Sequence, residues 1–195
     1  MTARIRDRSV VAAVFAFGLL AGMTAAFAGP ITDSATQAEQ DLGANKPADA
    51  LAAFDAATDA FWLASPLQFR RILFADAVSG YGHYTPHQGT TFKAGDTPVI
   101  YFEPVGYGFG VSGDATHIAF STGIEIRTPG GLILAKTGNL ADLEWTGAAK
   151  TREFYGSLGV TLPALKPGSY QLILTLTDTV SSKTVTTTLP FDIGA

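Results

Sequence analysis

The sequence predicts a mainly β protein: a seven-stranded immunoglobulin-like β-sandwich preceded by an N-terminal two-helix hairpin. Three observations predict it. Beyond residue 80, seven short stretches alternate apolar and polar residues and are rich in Val, Ile, Thr, Tyr and Phe, with turn residues between most of them. Leu165-Lys166-Pro167-Gly168-Ser169-Tyr170 turns the chain at Pro167-Gly168 and leads straight into the alternating run Gln171–Asp178. Tyr170, at the start of that strand, is placed to return its hydroxyl to upstream backbone, the tyrosine-corner device of Greek-key sandwiches. Before residue 80 the period changes to that of a helix.

Taken in order, residues 1–28 read as an address. Arg4, Arg6 and Arg8 precede an almost wholly apolar run, Val10 to Phe27, and Ala26-Phe27-Ala28 offers a small-x-small site for cleavage after Ala28. The competing reading is an uncleaved anchor, but the run is Ala/Gly-rich and no basic residue follows it closely. The expected destination is therefore the periplasm or the medium, with no stable membrane span after cleavage. Residues 29–46 are small and polar and read as a flexible lead or a frayed helix. Residues 47–79 read as a helical hairpin. Leu51, Phe54, Thr58, Phe61 and Trp62 recur at helical spacing, giving a first helix over about 47–64. Ser65-Pro66-Leu67-Gln68 then carries a helix-start signature, with Ser65 as the cap, for a second helix to about Val78. Trp62 and Phe61 are the expected anchors onto the sandwich. Residues 80–195 hold the strands, near 81–86, 97–104, 116–127, 132–136, 151–161, 169–177 and 183–193. Trp145 falls between the fourth and fifth, as a rim residue or a core plug.

Composition narrows the classes. The whole chain has 13 Lys and Arg against 17 Asp and Glu; without residues 1–28 it loses three Arg and one Asp, for a net charge of −6. That balance argues against nucleic acid and against anionic membrane surfaces as partners, since both need clustered basic residues. The chain has no Cys, so disulfide, thiolate and redox-thiol chemistry are excluded.

Three stretches carry a resemblance: Tyr81-Gly82-His83-Tyr84-Thr85-Pro86, then Phe92-Lys93-Ala94-Gly95-Asp96, then Tyr101-Phe102-Glu103-Pro104. With the closing segment from Leu165 to Ile193, and with Ser65-Pro66-Leu67 and Phe69-Arg70-Arg71, they resemble uncharacterised exported bacterial proteins. In those, an immunoglobulin-like or fibronectin-III-like sandwich with a Pro-Gly-x-Tyr turn follows a helical hairpin. The motifs are structural (Ser65, Pro167, Gly168, Tyr170), and His87 stands where that pattern commonly has an arginine. The resemblance implies a fold and no catalytic residue.

Few residues suggest chemistry. His83 and His87 flank Tyr84-Thr85-Pro86, which favours an extended chain; in a strand they lie about 13 Å apart, too far for one metal. His117 joins only through tertiary folding, so the three are weak metal candidates and no metal or cofactor is expected. Gly106-Tyr107-Gly108-Phe109-Gly110 is the most unusual composition in the chain. Tyr107 and Phe109, with Tyr84, either expose rings as a platform for a sugar or small ligand or close the end of the sandwich. Ser112, Asp114 and His117 superficially offer a serine, a carboxylate and a base, but known triads draw their members from distant segments. Without a nucleophile elbow, phosphate loop or metalloprotease helix, no catalytic site and no enzyme is expected. The expected function is protein–protein interaction or scaffolding with an envelope partner, through the hairpin or a free strand edge. The alternative is a small-ligand or carbohydrate-binding module centred on residues 106–110.

Overall fold

The computed structural model describes residues 29–194; the expected signal peptide and its cleavage site lie outside them. Two helices come first, α1 (Pro30–Gly43) and α2 (Pro47–Ala64). Ten strands follow: β1 (Gln68–Gly80), β2 (His83–Pro86), β3 (Thr91–Phe92), β4 (Val99–Val105), β5 (Gly110–Ser112), β6 (Ala115–Arg127), β7 (Ile133–Gly147), β8 (Gly156–Gly159), β9 (Gly168–Asp178) and β10 (Thr184–Ile193). They form two curled sheets, so the molecule is mostly β as the sequence predicts, but with ten strands among the described residues instead of seven. One sheet runs β2-β1-β4-β8. The other runs β3-β10-β9-β6-β5, with β7 on the far side of β6.

The core forms where the inner faces meet. Along β6 every second residue is buried (Ile118, Phe120, Thr122, Ile124, Ile126), and β9 supplies Leu172, Leu174 and Leu176. Ile100 and Phe102 of β4 and Leu158 of β8 face them from the other sheet. Thr122 is the polar exception on β6. Its hydroxyl accepts from the Ala141 amide (3.0 Å) and donates to the Ala141 carbonyl (2.8 Å), which satisfies it inside the core. At the β9 entry, Tyr170 donates its hydroxyl to the Lys166 carbonyl, 2.8 Å away, and Gly168 turns the chain at φ 149°.

At three segments the structure corrects or decides an expectation. Segment 68–80 forms strand β1, where a second helix over about 66–78 is expected. Ser65 ends α2, its backbone extended (ψ 144°) and its hydroxyl on the Phe61 carbonyl, because the residue before a proline is driven out of the helical region. Segment 68–80 then finds ladder partners on both sides, β2 and β4, and that pairing overrides its local pattern. Of the two readings of residues 29–46, a flexible lead or a frayed helix, the structure has the helix, α1. Pro30 occupies the first helical turn, Asp33 complements the helix dipole there, and Ala38 is buried. Segment 133–147 is one long strand, so Trp145 sits within β7, opposite Ile118 and against the core.

Candidate functional site: the helical hairpin

α1 and α2 are joined by Ala44-Asn45-Lys46, where Asn45 takes φ 58°, a conformation asparagine tolerates, and Lys46 N–H bonds back to the Asp41 carbonyl. The helix contact is built from small residues such as Ala38 and Ala50, both buried, so the two backbones approach closely while large side chains stay at the rim. α1 packs chiefly on α2.

Among the described residues the sheets hold the hairpin at the end of α2. Trp62 is buried; its indole N–H donates to the Tyr107 carbonyl (2.8 Å), and its ring meets Tyr107 edge-on (5.0 Å) and stacks on Phe109 (6.5 Å). Asp59 pairs with Lys150 (2.6 Å) and with Arg152. The Lys183 ammonium donates to three carbonyls, of Leu63, Ser65 and Gly106, each at 2.8 Å, and so ties the end of α2 to the loop after β4. Phe61, expected as a second anchor, is 61% exposed instead, because its position falls on the outward stripe of α2.

That outward stripe is the main anomaly of the surface. Leu51, Phe54 and Phe61 lie along one side of α2 and are 62%, 59% and 61% exposed; Leu42 of α1 is 66% exposed. Leu42, Leu51 and Phe54 border an apolar groove of about 390 Å³ between the helices, floored by Ala35, Ala38 and Ala50. Single exposed apolar residues are ordinary, but a contiguous row beside a groove marks an interaction surface.

The residues singled out from sequence are dispersed. Tyr107 is fully buried, with its hydroxyl on the Thr151 carbonyl (2.9 Å), and Phe109 packs against the core beneath Lys150. Their rings close the end of the sheets and form no ligand platform, because Trp62 covers them. The glycines serve the same packing: a Cβ on Gly106 (φ 80°) would fall 2.3 Å from the Pro66 carbonyl, and one on Gly110 would enter the His117 ring. Tyr84 stacks on Tyr101 (4.3 Å) under the Arg71 guanidinium. His87 stacks on Phe92 and bonds Asp76 (2.6 Å). His83 lies on β2 and His117 on β6, in different sheets, and no group of three metal-ligating side chains forms among the described residues. Ser112 and His117 do line one small pocket of about 280 Å³ with Glu144, but among the described residues the buried His117 Nδ1 has no hydrogen-bond partner, so no carboxylate there orients it. Sequence reasoning read the stripe of α2 as the apolar face of an amphipathic helix anchored on the sheets by Phe61 and Trp62, not as an open surface; α1, which completes the groove, gave no signal beyond Pro30 and its alanines.

No family model matches the chain, and no curated protein does. Among solved structures, the chain matches the Pseudomonas fluorescens alkylpurine DNA glycosylase AlkC bound to DNA containing an abasic site analog, at 9% identity and a TM-score of 0.36. The match covers 79% of this chain and 40% of that one, so the chain spans well under half the length of the structure it matches. That structure is an enzyme, which stands against the expectation of no enzyme, and the expectation is not carried further. At this TM-score the likeness carries no argument for an activity, a substrate or a nucleic-acid partner.

Proposed function

We propose that this is an exported protein of the bacterial cell envelope that acts by protein–protein interaction, presenting the α1–α2 hairpin to a partner. The observation that carries this reading is the exposed row Leu42, Leu51, Phe54 and Phe61 beside an open interhelical groove. Export is supported by the basic start, apolar run and Ala26-Phe27-Ala28 of the first 28 residues, and by the resemblance to exported bacterial proteins. An immunoglobulin-like origin of the sheets belongs to the same reading, supported by the Tyr170 corner bond. Among the described residues no helix is long and apolar enough to cross a membrane. The acidic balance favours a protein partner over nucleic acid.

Magnitudes set the size of the contact. Covering Leu42, Leu51 and Phe54, each about three-fifths exposed, yields about 4 kcal/mol at the usual worth of a buried large side chain. Association costs at least that much, so the contact must reach Phe61 and beyond. The test places a photo-crosslinking amino acid at position 51 in cells exporting the full chain, with position 188, on exposed β10 surface, as control. One discrete adduct is expected from 51 and none from 188, and Leu42→Glu with Phe54→Glu abolishes it while the melting temperature holds. Equal adducts from both positions, or none, defeat the reading. Release of the mature chain by osmotic shock tests its address.

A further inference from the structure

The second surface left open by the fold is a cleft between the free edges of the two sheets. Among the described residues β7 pairs only with β6, and β8 pairs only with β4, so each offers an unpaired edge. The edges flank a cleft of about 570 Å³, a size ordinary for a ligand site. Its apolar wall is Leu143, Trp145 and Phe154, with the half-exposed Tyr155 ring at the mouth, and its rim carries Asp142, Glu144 and Glu153. Among the described residues no basic side chain lines it. None of the three carboxylates has a cationic partner among the described residues; Asp142 accepts only from the Asn139 amide (3.1 Å). The loop that joins the two edges is pinned, by Lys150 and Arg152 on Asp59 and by Tyr107 on the Thr151 carbonyl, so the cleft is pre-formed.

We propose that this cleft binds an extended basic peptide segment, which adds as a strand to the edge of β7 and sets Lys or Arg side chains against Asp142, Glu144 and Glu153. The site is separate from the interhelical groove. The backbone direction follows from Thr122: it bonds both the N–H and the C=O of Ala141, so those groups face β6. In a strand the next residue faces the opposite way, which turns the N–H and C=O of Asp142, Glu144 and Thr146 towards the cleft. Natural edges are blunted by proline, by free lysine or by being short. β7 runs 15 residues without a proline, and its one lysine, Lys136, is engaged by Glu125 at 2.7 Å. Backbone pairing supplies affinity and alternate side chains supply specificity in this mode of recognition. The acidic rim selects a cationic strand over a second copy of this acidic chain.

The test uses the full mature chain and two synthetic hexapeptides, one alternating lysine and valine and one alternating glutamate and valine. Binding is read by isothermal calorimetry, and amide protection by hydrogen exchange. The lysine peptide is expected to bind at least tenfold tighter than the glutamate peptide, to weaken with added salt, and to slow exchange at Asp142, Glu144 and Thr146. Glu144→Gln with Asp142→Asn lowers affinity at least fivefold, and Glu144→Pro, which removes one outward N–H from an edge, abolishes the added protection. Equal binding of the two peptides overturns the proposal, and so does binding that leaves the β7 amides unchanged. Protection already present in the free chain, together with a dimer in sedimentation, assigns the edge to a second copy and likewise overturns it.

Discussion

Tyr101 and Tyr107 show how burial at single positions fixes the chemistry of the molecule. Burial pushes the Tyr101 phenol up to about 12, and the hydrogen bond it donates to Glu103 (2.7 Å) pushes the same way. Burial likewise raises Tyr107. An unfolded chain loses both protons near pH 10.0, whereas the folded chain keeps them. Between pH 10 and 12 the unfolded state therefore binds fewer protons, and stability falls as pH rises, by at most about 1.4 kcal/mol per pH unit for each phenol. Below pH 10 neither contributes any slope. Melting temperatures recorded from pH 8 to 12 are expected to be flat at first and then to decline, and Tyr101→Phe or Tyr107→Phe flattens the decline. A steep loss beginning at pH 9 in both variants would place its origin elsewhere.

Among elements, the junction between α2 and β1 carries the most consequence for little covalent structure. Lys183 reaches it from the turn before β10 and satisfies three carbonyls at once. Lys183→Met keeps the aliphatic stem and removes those donors; it is expected to cost about 2 kcal/mol, since each charged hydrogen bond is worth about that and water replaces part of the loss at a half-buried site. Chemical denaturation with an unchanged slope checks it, and a cost below about 0.5 kcal/mol shows that solvent serves these carbonyls equally well. The same junction marks where sequence reasoning stops. β6, β9 and β10 were legible because alternation continues through each strand. Ser65-Pro66 was misread because a proline after serine both opens and ends helices, and only the ladder partners of segment 68–80 decide which. α1 stayed open between a lead and a frayed helix because its contact is made of alanines, which leave no apolar stripe to count. For the groove, the stripe Leu51, Phe54 and Phe61 was visible, but nothing in its spacing says that Trp62 alone turns towards the sheets.

For the whole molecule, the unequal attachment of the two parts sets a gradient of stability. The sheets share a continuous core, whereas α1 is held chiefly by α2, through small side chains that bury little apolar surface. Helices of 14 and 18 residues are marginal alone in water, so the hairpin has to draw its order from the end of α2, where Trp62, Asp59 and Lys183 hold it. Opening of α1 and of the first turns of α2 exposes few core residues, while opening of β6 or β9 exposes the whole core. Native-state hydrogen exchange is therefore expected to show amides of residues 34–52 opening several kcal/mol below the global free energy, and those of residues 118–126 and 172–176 opening only with global unfolding. Trp62→Ala is expected to lower protection throughout 34–64, since it removes the attachment and not the helices' own bonds. An interaction surface built on a weakly held element gains order from its partner, so a ligand of the groove raises protection in residues 34–52 first. Equal protection across both parts in the free chain would mean that the hairpin is as firmly integrated as the sheets, and the groove would then be a rigid surface with no ordering cost to recover on binding.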